Sequence, residues 1–198
     1  VQDSIYNFWR NHSLANIKPN VGGEYPEGWD VVEFFNKLYT EEDYGTVVEI
    51  GCGYGRLCRA FDTDIYKGLD ISPEAIRMAR KTYPNYKFDL MLNPDDMFPH
   101  SDTKLLYTVA LYQTDEDIEW MIKRLCKTTS DRVIIAEVSG RDWRREGNPP
   151  VFNRSPEEYD FLFAQQDWGL GALIKKPYDR YKAWKKDDTN LSIMVFND

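Results

Sequence analysis

The chain has 198 residues, 42% of them hydrophobic and 15% aromatic, which suits one globular domain with a sizeable core. Its 25 Lys and Arg against 33 Asp and Glu leave a formal charge of −8, which disfavours a general nucleic-acid binder needing clustered cations on phosphates. No stretch approaches the roughly 20 apolar residues of a membrane span, and the opening residues do not read as a signal peptide.

Two helix-like segments, Ser4 to His12 and Trp29 to Tyr39, flank a Pro- and Gly-rich break, with Asp30 placed to cap the second. Thr46 to Ile50 is a short β-branched run that stops at glycines, so it reads as a buried strand. A helical stretch is expected over Arg56 to Phe61, and a second strand over Ile65 to Asp70. Ser72-Pro73-Glu74-Ala75 starts a helix, with Ser72 as cap and Pro73 in the first turn. Tyr86 to Leu90 and Lys104 to Val109 are further strands. Asp115 to Lys127 is amphipathic, with Asp115, Glu116 and Asp117 suited to its first turn. Arg132 to Val138 is the clearest strand. Ser155 to Phe163 is a capped helix, and Leu170 to Lys176 with Leu191 to Phe196 form a closing pair. Strands alternating with helices imply right-handed crossovers and a parallel sheet covered on both faces. The expected organisation is a single domain, with residues 1–44 an N-terminal helical segment and residues 45–198 the core.

The chemical signal lies between the first strand and the residues after it: Glu49-Ile50-Gly51-Cys52-Gly53-Tyr54-Gly55. Open α/β sheets bind ligands at such a turn, and glycines let the backbone approach a ligand closely. Asp70 ends the second strand, 19 positions after Gly51. A carboxylate there suits both hydroxyls of an adenosine ribose. A nicotinamide dinucleotide would use the same acid, but it prefers G-x-G-x-x-G and a pyrophosphate on the helix N-terminus. Here Gly55 comes one residue early, position 56 is Arg, and Glu49 would repel a pyrophosphate. Glu49 suits a ligand with positive charge near the turn. The three cysteines, Cys52, Cys58 and Cys126, lack C-x-x-C spacing, so neither a disulfide scaffold nor a zinc ribbon is expected. No metal cluster is evident, so no metal is expected, and a reduced, cytoplasmic setting follows from the cysteine usage.

The run Val47 to Gly55, followed by Gly68-Leu69-Asp70-Ile71-Ser72-Pro73-Glu74-Ala75-Ile76, resembles motifs I and II of the class I S-adenosylmethionine-dependent methyltransferases. Val109-Ala110-Leu111-Tyr112-Gln113 resembles the segment after their fourth strand. The similarity covers roughly residues 44 to 138. It implies a Rossmann-like α/β fold: a seven-stranded, mostly parallel sheet with the last strand antiparallel, helices on both faces and an N-terminal helical lid. It implies S-adenosyl-L-methionine as cofactor and S-adenosyl-L-homocysteine as product. Glu49, Gly51 and Gly53 would line the methionine part, Asp70 would hold the ribose with Ile71 packing beside the adenine, and Cys52, Gly55 and Leu111 would also belong to the cofactor site. An acid after the third strand often meets the adenine amine, and Asp89, Asp95 and Asp96 compete for that role.

The acceptor side is less defined. Tyr112-Gln113 stands where related enzymes often place His, and Tyr112 is equally suited to packing. His12 is a candidate base, in the same N-terminal segment as Tyr6 and Trp9. Tyr6, Trp9, Tyr25 and Trp29 suit a wall around a cationic ligand, because aromatic faces attract cations. Arg141, Arg144, Arg145 and Arg154 follow the fifth strand; Arg141 and Arg145 would border an anionic acceptor. Asn148-Pro149-Pro150-Val151 is reminiscent of the DNA amino-methyltransferases, but it follows the fifth strand rather than the fourth, and Val151 cannot stack on a base. Lys175, Lys176, Arg180, Lys182, Lys185 and Lys186 read as a solvated hairpin edge. The expected activity is methyl transfer to an O or N atom of a small molecule. The alternatives are a non-catalytic cofactor-binding module, an enzyme methylating a protein or peptide side chain, and a nicotinamide oxidoreductase. No nucleic-acid or membrane partner is expected, and the sequence is silent on oligomeric state.

Overall fold

Strands β1 (Val47–Ile50), β2 (Tyr66–Asp70), β3 (Lys87–Leu90), β4 (Ser101–Tyr107), β5 (Thr129–Ser139), β6 (Gly169–Pro177) and β7 (Asn190–Asn197) join in one sheet. Their spatial order is β3-β2-β1-β4-β5-β7-β6. The first five run parallel, and β7 is antiparallel to both β5 and β6. The structure, a computed structural model, describes residues 2–11, 30–93, 96–139, 149–177 and 190–198.

Five helices accompany the sheet among the described residues: α1 (Gln2–Asn11), α2 (Val31–Glu42), α3 (Pro73–Thr82), α4 (Asp115–Lys127) and α5 (Pro156–Ala164). Local side-chain chemistry starts four of them. The Asp30 carboxylate accepts from the N–H groups of Val32 and Glu33, at 2.7 and 3.1 Å. Ser72 Oγ accepts from Ala75, and Thr114 Oγ1 from Asp117, each at 3.2 Å. Ser155 and Glu158 form a reciprocal capping box. Losing one such cap costs about 0.5–2 kcal/mol.

The two faces of the sheet carry separate cores. On one, Val47, Tyr66, Leu105 and Ala136 pack with Val31 and Phe35 of α2 and with Ile76 and Ala79 of α3. On the other, Val48, Leu106, Val133 and Ile135 pack with Ile118 and Leu125 of α4 and with Tyr159 and Phe163 of α5. Burial on both faces explains why β1 and β5 read as continuous apolar runs rather than alternating ones.

The expected helix over Arg56 to Phe61 is absent; a single 3-10 turn, Cys58–Ala60, stands in its place. Only residues 56–65 connect Gly55 to β2, too few for a crossover helix and its return. Leu57, Cys58, Ala60 and Phe61 are all buried, which is core filling rather than one apolar stripe. Strand β4 also begins before Lys104, because its polar first residues find distant partners. Asp102 bonds Thr46, and Thr103 Oγ1 donates to the Tyr44 carbonyl. Among the described residues, no helix is long and apolar enough to cross a membrane.

Candidate functional site

The carboxyl ends of β1, β2, β4 and β5 share one edge of the sheet, and the glycine turn leaves β1 there. The N–H groups of Gly51 and Cys52 both donate to the Leu69 carbonyl, at 2.7 and 3.0 Å, tying the turn to β2. Gly51, Gly53 and Gly55 all have positive φ, at 74°, 55° and 78°. A Cβ at Gly51 would lie 2.4 Å from Val109 Cγ2, and one at Gly55 would lie 2.7 Å from the Phe88 ring. Those two glycines are therefore required by packing. A Cβ at Gly53 would meet nothing within 4 Å. Among the described residues, nothing fills the space beside the middle of the turn.

Asp70 borders that space. Its Oδ2 accepts from the N–H of Gly53 and its Oδ1 from that of Ser72, each at 2.8 Å. Burial pushes its pKa up, opposed by amide bonds from Ser72, Gly53 and Ile71. A carboxylate offers about four lone-pair sites, so acceptor capacity remains for a ligand diol. Ile71 follows directly.

Glu49 is buried at the end of β1 and accepts a hydrogen bond from the Tyr66 hydroxyl. Burial pushes its pKa up to about 7, against the Tyr66 bond and the positive charge of Arg56. The Arg56 guanidinium lies over the Tyr107 ring, 4.4 Å from its centroid. Burial pushes the Cys52 thiol well up, so it is a packing group rather than a nucleophile.

The turn after β4 forms the other wall. Thr108 has φ 55°, a left-handed conformation costing a non-glycine residue about 1–2 kcal/mol. Val109 and Ala110 then donate their N–H groups to Glu137 Oε1 on β5, at 2.7 and 2.6 Å. Leu111 is buried, and its carbonyl accepts from the Phe152 N–H at 2.7 Å. Helix α1 meets the same edge. Tyr6 donates to the Leu92 carbonyl at 3.0 Å, Arg10 bonds the same oxygen at 3.1 Å, and the rings of Trp9 and Tyr112 lie 4.7 Å apart.

The structure thus gathers Glu49, Gly51, Cys52, Gly53, Gly55, Asp70 and Ile71 at one turn, with Leu111, Tyr112 and Gln113 on the neighbouring one. Of the acids considered for the adenine side, Asp89 is engaged by Lys67 at 2.7 Å and Arg80 at 3.3 Å on the outer edge of the sheet, with its side chain 53% exposed. Asp96 accepts from the Asn93 N–H at 3.2 Å and closes its own turn. His12, Tyr25, Trp29, Asp95, Arg141, Arg144 and Arg145 lie outside the described residues. Arg154, grouped in sequence with those arginines, is buried. It is 4% exposed and holds Asp115 Oδ1 at 2.6 Å and the carbonyls of Gln113 and Phe152 at 3.1 and 3.0 Å. Glu137 carried no sequence signal beyond a lone acid inside an apolar strand.

No family model and no curated protein sequence matches the chain. Solved structures do. A magnesium protoporphyrin IX methyltransferase from Synechocystis, with S-adenosylmethionine bound, superposes at a TM-score of 0.70 over 98% of this chain and 95% of that one, at 11% identity. The chain has the class I methyltransferase fold. An S-adenosylmethionine-dependent methyltransferase from Clostridium acetobutylicum gives a TM-score of 0.66 over 97% of this chain and 98% of that one, at 11% identity. An O-methyltransferase of neocarzinostatin biosynthesis, in complex with S-adenosyl-L-homocysteine and 1,4-dihydroxy-2-naphthoic acid, gives 0.60 over 78% of this chain and 49% of that one, at 17% identity. The chain has the seven strands and the antiparallel last strand that the resemblance implies, with a 3-10 turn in place of the expected first crossover helix.

Proposed function

We propose that the chain is an S-adenosylmethionine-dependent methyltransferase acting on an O or N atom of a small molecule. The observation carrying this reading is the Asp70–Gly53 pair: a partly buried acid at the end of β2, bonded to the N–H of a glycine at which an added Cβ would meet no described residue within 4 Å. A dinucleotide would need a helix N-terminus for its pyrophosphate, and a short 3-10 turn follows the glycines instead.

In this reading Asp70 accepts both ribose hydroxyls, Ile71 and Leu111 flank the adenine, and the backbone of Gly51 and Gly53 lies along the methionine part with Glu49 beneath it. The bound cofactor supplies a methyl group already activated as a sulfonium. The protein then has to align the acceptor in line and exclude water. A neutral nitrogen acceptor needs little more; a hydroxyl needs a base. Helix α1, anchored to Leu92 and Tyr112, serves as the lid, and Tyr6, Trp9 and Tyr112 contribute to the acceptor wall. Arg141 and Arg145 follow β5 and favour an anionic acceptor. One similar structure is named for methylating magnesium protoporphyrin IX and another holds 1,4-dihydroxy-2-naphthoic acid, which supports small-molecule chemistry of this kind.

The test is turnover. Protein incubated with methyl-labelled cofactor and fractionated metabolite pools should form S-adenosylhomocysteine together with a product heavier by one methylene. Tight cofactor binding with no labelled product from small-molecule fractions, and label on polypeptide instead, would overturn the small-molecule reading.

A further inference from the structure

The turn after β4 is held from both ends. The Thr108 N–H still bonds the Ala136 carbonyl at 2.9 Å, as a strand residue would. The next two N–H groups, on Val109 and Ala110, turn inward and share Glu137 Oε1. Downstream, Arg154 grips the Gln113 carbonyl and Asp115. Glu137 is fully buried, and its Oε2 makes no hydrogen bond among the described residues. A carboxyl placed inside an apolar face, beside Ile135 and Tyr159, is costly unless the two amides it satisfies must be held where they are.

What those amides hold is the approach of two loops. Val109 is the residue that a Cβ on Gly51 would strike. Fixing Val109 therefore fixes the distance between the glycine turn and the turn that carries Leu111, Tyr112 and Gln113. Thr108 stays in its left-handed conformation only because its neighbours over-determine it.

We propose that Glu137 is a positioning residue for methyl transfer, clamping the turn at residues 109–111 against the glycine turn so that the cofactor site is formed before ligand arrives. The proposal rests on the methyltransferase reading above. Glu137 never touches cofactor or acceptor; it acts through two backbone N–H groups and Val109. The groups facing it are Arg154 from the segment after β5, Tyr159 from α5, its cross-strand neighbour Ser192 on β7, and the amides of the turn. Burial pushes its pKa up to about 8, favouring the neutral carboxyl. Glutamine reproduces that neutral form and keeps a carbonyl oxygen for both N–H groups, whereas methionine keeps the length and loses the acceptor.

Glu137→Gln and Glu137→Met separate the clamp from simple core filling. Amide exchange at Val109 and Ala110 and calorimetric affinity for S-adenosylhomocysteine are measured in both. Methionine should speed exchange at those two amides and weaken affinity by about tenfold each, the worth of one lost hydrogen bond, while glutamine stays within about threefold of wild type. Unchanged exchange and affinity in the methionine variant overturns the clamp. So does a glutamine variant as impaired as the methionine one, which would mark a requirement for charge or shape. Should methionine prevent folding, Glu137→Asp, one methylene short of the turn, replaces it with the same expectation. If wild-type protein binds no S-adenosylhomocysteine, the methyltransferase reading fails, and amide exchange alone still decides whether Glu137 holds the turn.

Discussion

The Asp70 carboxylate and the Gly53 backbone N–H, 17 residues apart in sequence, meet at 2.8 Å across the mouth of the glycine turn. The bond does two things. It holds the turn in its left-handed geometry, and it orients the acid toward the space that Gly53 leaves open. Asp70→Asn keeps the size and one acceptor oxygen but loses the charge. Hydrogen bonds to a charged group contribute about 1.5–3 kcal/mol, so affinity for S-adenosylhomocysteine should fall by roughly ten- to a hundredfold. Calorimetry on the variant, with its Tm measured in parallel, separates lost binding from lost fold.

Two alanine substitutions at glycines should behave in opposite ways. At Gly53 the added Cβ meets nothing, so the cost is conformational, about 1–2 kcal/mol for a left-handed residue. Cofactor affinity should fall while the protein still melts cooperatively. At Gly68 the Cβ would lie within 3 Å of the Phe88 ring, Cys52 Sγ and the Tyr66 hydroxyl oxygen, all in the core. Gly68→Ala should therefore be the less stable protein by thermal melting. A Gly53→Ala variant with wild-type affinity would show that no ligand approaches the turn there.

Tyr66→Phe removes the hydroxyl that donates to Glu49. That bond holds the carboxyl pKa down against burial, so the carboxyl should titrate above its present value of about 7. Carbon-13 NMR of the Glu49 carboxyl reads this directly. A titration that stays in place, or moves down, would mean that Tyr66 does not stabilise the ionised form.

The same two buried acids shape stability against pH. Glu49 and Glu137 are pushed up from an ordinary value of 4.5 to about 7 and about 8, in both cases chiefly by burial. The folded state therefore binds protons that the unfolded state has released, and stability falls as pH rises from about 4.5 to about 8. A tenfold difference in proton affinity between the folded and unfolded chain is worth about 1.4 kcal/mol, so the fall should amount to several kcal/mol. Asp89 and Asp102, whose pKa values are lowered, act in the opposite sense and only at the acid end. Urea unfolding at a series of pH values should show the decline, and Glu137→Gln should flatten its upper part. A stability that rises across this window would contradict the burial of these acids.

Where structure follows from neighbouring residues, the sequence was readable. Ser72 with Pro73, Ser155 with Pro156 and Asp30 before an apolar stripe each specify a helix start through bonds that span two or three residues. The glycine turn was readable because three left-handed positions within five residues constrain residue type and spacing together. What escaped depends on partners far along the chain. Glu137 satisfies amides 27 and 28 residues away, and Arg154 meets Asp115 across 39. Nothing local distinguishes Arg154 from a solvated arginine in a basic run. The missing first crossover helix had a local cue, the shortness of the link from Gly55 to Tyr66, but its apolar residues are equally dense in a helix or a buried turn.

Helix α1 offers a separate check on the lid. Trp9 and Tyr112 form an edge contact of the kind that contributes about 0.5–1.5 kcal/mol beyond area burial. Trp9→Ala and Tyr112→Ala, alone and together, should show coupling of that size. Cofactor should also slow amide exchange in α1. Exchange in α1 that is indifferent to cofactor would leave the helix as packing and remove it from the site.

Calorimetric titration of the wild-type protein with S-adenosylhomocysteine, alongside an identical titration with NAD, tests the central claim most directly. One saturable site for S-adenosylhomocysteine is expected, weakened at least about tenfold in Asp70→Asn, with no comparable binding of NAD. Saturable NAD binding with no heat from S-adenosylhomocysteine would contradict the methyltransferase assignment.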